Sequence, residues 1–299
     1  MSGVAHADPR YARGLLRPAG ERRGRLAFPG VRMKVIGLVA VNVFKESVRD
    51  KVLYSIVAFA VMLMSTTYLI GQLTAGQDIK IIKDLGLASI SIFGLLIAIF
   101  IGIGLVWKEV EKRSIYTLLP KPMRRQEFLL GKYFGLVLTL VINIAVMTAA
   151  FYLVLVLMRL LEPGIDAVSA APATDAAMLK AIALVVVEQM LVTAIALFFS
   201  TFSSPFLSAL LTAGLWVAGH FNSDLRNFGA VVASPTLAQL TRAMYYVLPN
   251  FSAFDVKSQV VHAQAVPASY VALTCAYGLT YIALVLVGAA AIFARRDFK

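Results

Sequence analysis

Residues 86–107 have the sequence GLASISIFGLLIAIFIGIGLVW, in which no side chain carries a charge. At 1.5 Å per residue, a helix over this stretch extends about 33 Å, enough to cross the hydrocarbon core of a bilayer. Lipid offers no partners to backbone N–H and C=O groups, and a helix pairs these groups within the segment. The stretch therefore predicts a transmembrane helix.

Five more apolar blocks occur along the chain, each close to the length that a span requires. Of the 299 residues, 60% are hydrophobic and 15% are charged, whereas a soluble domain has about a quarter charged residues. We therefore predict an all-α integral membrane protein with six transmembrane helices, forming one membrane domain over residues 53–299. The predicted spans are 53–71, 86–107, 133–157, 179–201, 206–221 and 270–293.

Two segments precede the first predicted span. Residues 1–32 are rich in Arg, Gly, Ala and Pro without apolar periodicity, so they are predicted to be a disordered basic tail, with Met33 as an alternative start. Residues 33–52 carry apolar side chains at helical spacing, among them Val39 and Val43. This amphipathic helix is predicted to lie in the membrane interface as an elbow before the first span; the alternative is a solvated helix of a soluble subdomain. Its charged residues include Lys45, Glu46, Arg49 and Lys51.

The distribution of the 28 Lys and Arg residues predicts the orientation. With the amino terminus inside, 21 of them fall in inner segments and 7 in outer segments. Cytoplasmic loops carry such an excess, so we predict a multi-pass protein of the inner or plasma membrane with both termini cytoplasmic. The net charge of +12 gathers at span ends, which argues against nucleic-acid binding.

Few residues could carry catalysis or bind a metal. His6, His220 and His262 have no ligand partner at the spacing of a metal site. Gly131-Lys132 ends like a phosphate-binding loop, but the first glycine and the following Ser or Thr of that motif are missing. We therefore predict no catalytic residue, no metal and no cofactor in this chain.

Two features of the predicted spans concern contacts between helices. Gly131-x-x-x-Gly135 is a pair of small residues that could let a neighbouring helix approach closely. Asn143 and Glu188 lie near the middle of two spans that would be antiparallel neighbours, and a carboxylate at that depth normally faces protein or water. Two interpretations remain open: a hydrogen bond between helices, to Asn or Thr, or a polar spot on a transport route.

The connections on the two sides of the membrane differ. Residues 108–132, KEVEKRSIYTLLPKPMRRQEFLLGK, form a charged cytoplasmic hairpin with an apolar face, broken by two prolines. Such a hairpin suits a groove on a soluble partner; the alternative is a solvated loop. The outer connection, 222–269, contains aromatic and apolar residues that are too interrupted to span, including Phe251 and Phe254. We predict short helices that lie at the outer interface or dip into it.

The entry helix NVFKESVRDK (42–51), the hairpin 108–132 and the end FARRDFK (293–299) resemble permease subunits of type-2 ATP-binding-cassette (ABC) exporters. The resemblance is in particular to the branch associated with multicopper-enzyme or nitrous-oxide-reductase maturation. The resemblance implies a homo- or heterodimer of six-span permeases in lipid, driven by separate cytoplasmic ATPase subunits. A non-transporting membrane scaffold or assembly factor is the alternative. The residues that the resemblance places in the ATPase groove, as a coupling helix, are Glu109, Glu111, Arg113, Ile115, Tyr116 and Leu118.

Overall fold

The computed structural model describes residues 29–49, 51–71, 78–111, 125–161, 175–222 and 235–295. These residues form α-helices and one short 3-10 helix, Ser252–Phe254, and none of them is in a β-strand. The described helices are α1 (Pro29–Val48), α2 (Lys51–Gly71), α3 (Asp78–Glu111), α4 (Arg125–Leu161), α5 (Ala177–Ser200), α6 (Pro205–His220), α7 (Pro235–Val247), α8 (Lys257–Val261) and α9 (Ala268–Arg295).

Among the described residues, four helices are long and apolar enough to cross a membrane: α3, α4, α5 and α9. Two shorter apolar helical segments accompany them, Leu53–Thr66 within α2 and Pro205–His220, which is the whole of α6. All six lie where the sequence predicts a span. Together they make the chain a multi-pass, all-helical membrane protein.

The helices α3 and α4 are longer than the predicted spans 86–107 and 133–157. They contain 34 and 37 residues, which correspond to about 51 Å and about 55 Å of helix. The apolar blocks in the sequence predicted only the apolar part of each helix. Once a helix has formed, extending it through neighbouring polar residues costs little free energy. Each helix therefore exceeds a hydrocarbon core of about 30 Å by roughly 20 Å.

The helices α3 and α5 form the centre of the bundle. Of their most apolar 18 residues, 72% and 67% are buried, whereas the value is 28% for both α4 and α9. Most of the side chains that α4 and α9 leave exposed are apolar, for example Leu153 and Leu284. Lipid chains solvate such side chains, so a helix at the edge of the bundle needs no polar face.

The helix α1 begins four residues before the predicted start at Met33. Proline suits the first position of a helix, because its missing N–H would have no partner there and its φ angle is already helical. The helix therefore includes residues 29–32 of the predicted basic tail, and the division into a tail and an elbow helix stays a prediction. The remainder of that tail, residues 1–28, lies outside the described residues.

Candidate functional site

The predicted cytoplasmic hairpin is bounded by the two longest helices. The helix α3 ends at Glu111 and α4 begins at Arg125. Glu109 and Glu111 belong to the last turn of α3, and the connection 112–124 lies outside the described residues. The hairpin is thus attached at both ends to helices that continue into the membrane. The predicted contact residues that lie outside the described part of the chain are Arg113, Ile115, Tyr116 and Leu118.

The glycines of the Gly131-x-x-x-Gly135 pair are the points where α1 touches α4. A Cβ atom built on Gly131 would lie 2.7 Å from Cβ of Val39, and one built on Gly135 would lie 2.6 Å from the carbonyl oxygen of Ala40. Neither distance leaves room for a methyl group. The close helix approach that the sequence indicated is confirmed, and the approaching helix is α1.

The helix α1 runs beside the start of α4 in the same direction. Gly131 contacts Val39 and, four residues later, Gly135 contacts Val43, so the two helices are parallel. Val39 and Val43 face α4 in this packing, while Lys45, Glu46 and Arg49 are exposed. The remaining predicted elbow residue, Lys51, begins α2. The placement of α1 in the membrane interface stays a prediction.

Glu188 is buried in the middle of α5, with 1% of its surface exposed. Its Oε1 atom accepts a hydrogen bond of 2.7 Å from the indole Nε1 of Trp216 on α6. The Nε2 atom of His220 lies 3.8 Å from the same oxygen, which is an ion-pair distance if the imidazole is protonated. Glu188 therefore joins α5 to α6 across the bundle.

The hydrogen bond of Glu188 goes to Trp216 and not to the Asn or Thr that one of the two interpretations named. The Asn143 side chain donates instead to the carbonyl oxygen of Thr139 on its own helix, at 2.7 Å. Asn143 and Glu188 nevertheless lie at the same depth in the bundle. Their chain neighbours Ile144 and Gln189 both have side chains within 3.7 Å of a Cβ atom built on Gly94. The two helices are rotated so that Asn143 and Glu188 do not face each other: α4 points the next residue, Ile144, into the bundle, and Glu188 of α5 faces α6.

A short turn explains why Trp216 reaches Glu188. The helices α5 and α6 are antiparallel and joined by residues 201–204. Glu188 lies 12 residues before Ser200 and Trp216 lies 11 residues after Pro205, so both are at nearly the same depth. Sequence reasoning missed Trp216; its distance from the turn matches that of Glu188, and this match identifies it once the turn is known to be tight.

His220, at the end of α6, is enclosed by two aromatic rings. Its ring centroid is 4.3 Å from that of Trp216 and 5.9 Å from that of Phe251, on which it stacks with an interplanar angle of 13°. About a quarter of its side chain, 23%, is exposed. Within the described ranges, no three His, Cys, Asp or Glu side chains come close enough to hold a metal ion.

Residues 248–266, which we term the cap, close the end of the bundle at which α6 ends and α9 begins. The cap contains the 3-10 helix and α8, the short helices that the sequence predicts in the outer connection. Phe251 and Phe254 have no exposed surface. The cap therefore dips between the helices instead of lying on top of them.

The family follows from comparison with known proteins. A family model described as ABC-2 family transporter protein matches residues 38–298. This match includes all the helices described above apart from the first turns of α1. The chain belongs to the ABC-2 transporter family. Comparison with curated proteins returned no match.

Membership makes the chain a permease component of an ABC transporter, the part that forms the membrane passage and is not itself catalytic. Such a permease works with an ABC ATPase. In this ABC-2 permease the cap and the charged hairpin lie far apart. Ser91, which contacts the cap, precedes Glu111 at the hairpin by 20 residues of α3, or about 30 Å of helix.

Proposed function

We propose that this chain is the permease subunit of an ABC exporter whose separate ATPase docks on the 108–132 hairpin. The hairpin acts as the coupling helix and α1 as the interfacial elbow. Both termini are cytoplasmic, a second permease subunit of the same or a related sequence completes the passage, and the membrane is the inner or plasma membrane. The six spans are α2, α3, α4, α5, α6 and α9.

The length of α3 and α4 carries this proposal. Each exceeds the hydrocarbon core by roughly 20 Å, and the charged hairpin lies between the end of α3 and the start of α4. A displacement applied to the hairpin reaches the bundle centre through continuous helix, since α3 is mostly buried there. Packed helices respond to such a displacement by moving between discrete arrangements.

The composition of the hairpin supports a protein partner. Ile115, Tyr116 and Leu118 could together contribute several kcal/mol on burial, at about 25 cal/mol per Å² of apolar surface. Ordering and association costs offset much of that gain. The hairpin also carries charges of both signs, seven Lys or Arg and three Glu, which help to orient it on a partner and steer the encounter. The resemblance to the maturation branch leaves the transported substrate open.

The proposal is tested by the double variant Glu111→Lys, Tyr116→Ala. We expect it to insert normally but to lose the ATPase partner, because it reverses one charge and removes the largest apolar contact of the hairpin. The measurements are recovery of an ABC ATPase, identified by its peptides, in detergent pull-downs and ATP hydrolysis in vesicles. The matched control is Asp84→Lys with Tyr54→Ala, since both residues are exposed and lie outside the hairpin.

Three results separate a permease coupled through the hairpin from the alternatives. Loss of ATPase in the hairpin variant but not in the control supports coupling through the hairpin. Full retention of ATPase and hydrolysis by the hairpin variant contradicts the proposal. Absence of any ABC ATPase with the wild-type chain would instead favour the scaffold or assembly factor.

A further inference from the structure

The Glu188 carboxylate and the His220 imidazole form a pair whose geometry depends on Trp216. The indole Nε1 of Trp216 donates to Oε1 of Glu188 at 2.7 Å, and Nε2 of His220 lies 3.8 Å from the same oxygen. The backbone carbonyl oxygen of Trp216 lies 3.2 Å from Nδ1 of His220. Trp216 therefore contacts both members of the pair, one through its side chain and the other through its backbone.

The contact at Nδ1 decides which nitrogen of His220 is able to take up a proton. A carbonyl oxygen only accepts hydrogen bonds, so the hydrogen of the neutral imidazole is placed on Nδ1. Nε2 is then the nitrogen that gains a proton, and it is the nitrogen nearest Glu188. One added proton resides either on Nε2, which gives an ion pair, or on the carboxyl group, which gives a neutral pair.

The spans around the pair supply no other charge at its depth. On α5 itself the other charged residue is Lys180, eight residues from Glu188, or about 12 Å of helix. The titratable side chains in the neighbouring spans are tyrosines and one cysteine, which carry no charge at neutral pH. The ranges without a charged residue are 53–71, 86–107, 133–158 and 268–294.

The cap contributes charges that are engaged elsewhere or exposed. The Nζ atom of Lys257 lies 3.6 Å from the carboxylate of Asp255, so these two charges largely cancel. His262 is exposed, and its Nδ1 atom lies 2.9 Å from the carbonyl oxygen of Ser258. Among the described residues, His220 is therefore the one basic side chain at ion-pair distance from the Glu188 carboxylate.

A net charge on the pair is costly while α6 packs against α5. The Glu188 side chain is 2% exposed, and buried carboxylates are normally paired or neutralised because an isolated buried charge is unfavourable. One proton removes the net charge of the pair in either arrangement. When α6 separates from α5, water solvates the carboxylate instead. The packed state therefore binds the proton more tightly than the separated state does.

His220 gives the pair access to solvent protons. It is the last residue of α6, and 23% of its side chain is exposed. A proton can thus reach Nε2 from the end of the bundle that carries the cap, while Glu188 stays enclosed by α5 and α6.

We propose that Glu188 and His220 form a proton-binding site, which takes up one proton from this end of the bundle and thereby holds α6 against α5. Trp216 is a positioning residue in this site. By linkage, the stabilisation is present while the proton is bound and is lost as the pH rises and the proton leaves. The inference rests on the proposed function only in identifying this end of the bundle as external.

The first test measures how firmly α6 is held at different pH values. The chain has one cysteine, Cys275, so a Cys275→Ser background permits a single reporter at Thr212, a residue of α6 with 1% exposure. A buried thiol reacts with a membrane-impermeant maleimide only when the helices separate, so the labelling rate reports the separated population. Because thiol reactivity itself depends on pH, each rate is divided by that of a cysteine at the exposed Gln264.

We expect the normalised rate of the wild-type background to rise about tenfold from pH 6 to pH 9. An opposite charge nearby strengthens proton binding by about tenfold or more, and linkage makes the separated state rarer by the same factor while the proton is bound. Glu188→Gln keeps an oxygen that accepts from Trp216 but has no charge to neutralise. Its rate should match the wild type at pH 6 and should not rise with pH.

His262→Gln is the matched control for this measurement. Like His220, His262 places Nδ1 beside the carbonyl oxygen of the residue four positions earlier, but it belongs to no described ion pair. The variant should therefore keep the wild-type dependence on pH.

The second test locates the proton at pH 7 by spectroscopy. In protein with ¹⁵N-labelled histidine, the ring signals of His220 are those that His220→Gln removes. The infrared difference between wild type and Glu188→Gln detects a protonated carboxyl group. The wild type should show either an imidazolium ring at His220 or a protonated Glu188, whereas Glu188→Gln should show a neutral His220 ring.

A normalised rate that stays flat in the wild type from pH 6 to pH 9 overturns the proposal, and so does an equal rise in Glu188→Gln. A neutral His220 together with an ionised Glu188 at pH 7 overturns it as well, because the site would then be empty. In vesicles, a response to the pH on the cytoplasmic side alone overturns the external placement. No ATPase is present in either test, so failure of the hairpin experiment leaves these outcomes unaffected.

Discussion

Replacement of Gly135 by alanine should separate α1 from α4. The added Cβ atom would lie 2.6 Å from the Ala40 carbonyl oxygen and 2.7 Å from Cβ of Val43. Ordinary contacts between carbon atoms are about 3.5–4.0 Å, so α1 has to retreat by roughly 1 Å. The atoms that block the methyl group belong to backbone and to a β-branched side chain, and neither can turn aside.

A gap of roughly 1 Å forfeits up to about half of the dispersion energy of each affected contact. Overpacking of this kind typically costs about 1–3 kcal/mol, and alanine recovers up to about 1 kcal/mol through its higher helix propensity. We therefore expect Gly135→Ala to lower the free energy of unfolding by about 1–2 kcal/mol. Gly37→Ala is the matched control on α1, because no atom beyond the neighbouring backbone of its own helix lies within 4 Å of its added Cβ.

Two measurements check this prediction. The first is the midpoint of unfolding by SDS in mixed micelles, which should fall for Gly135→Ala and stay or rise for Gly37→Ala. The second is the labelling rate of a cysteine at Ser47, which is a buried residue of α1, in a Cys275→Ser background. A wild-type midpoint together with wild-type labelling in Gly135→Ala would refute the reasoning from close helix contact.

Three further predictions concern Gly219 below the cap, Glu188 and the proposed topology. Gly219→Ala should cost about 1–3 kcal/mol by overpacking, since its Cβ would meet a phenylalanine ring at 2.4 Å; Gly214→Ala, with open space around it, should leave the melting temperature unchanged. Glu188→Leu should lower the free energy of unfolding by about 1 kcal/mol and Glu188→Gln by less, because hydrogen bonds between membrane helices average about 0.6 kcal/mol; equal losses would count against the hydrogen bond. Reporter fusions should read cytoplasmic within 108–132 and external within 222–269, and a cytoplasmic reading of the second loop would break the six-span topology.

Local patterns in the sequence were enough to predict most of the elements. The six apolar blocks each became a helix, because a segment in lipid can satisfy its backbone only within itself. The spacing of Val39 and Val43 similarly identified the side of α1 that is packed, since residues four apart lie on one face of a helix. Helix ends were predicted less well, because the apolar pattern stops before the backbone hydrogen bonds do.

The candidate sites were only partly predictable from sequence. Gly131 and Gly135 were recognised as a helix contact, but nothing in their spacing names α1 as the partner. The sequence predicted correctly that Asn143 and Glu188 lie at the same depth, but it did not predict the directions in which their side chains point. The role of Trp216 follows from its distance to the turn after α5, and that distance becomes informative only once the turn is known to be tight.

The sequence by itself determined that this protein is helical and lies in a membrane, and it predicts a charged hairpin at one side. These properties depend on composition and on interactions within single segments. Only the tertiary structure decided that Glu188 faces Trp216 and that Phe251 and Phe254 close the bundle. The helix α5 is apolar on nearly every side, so its sequence does not encode its rotation about its own axis. That rotation, and with it each contact between distant residues, is set by how the neighbouring helices and the cap pack together.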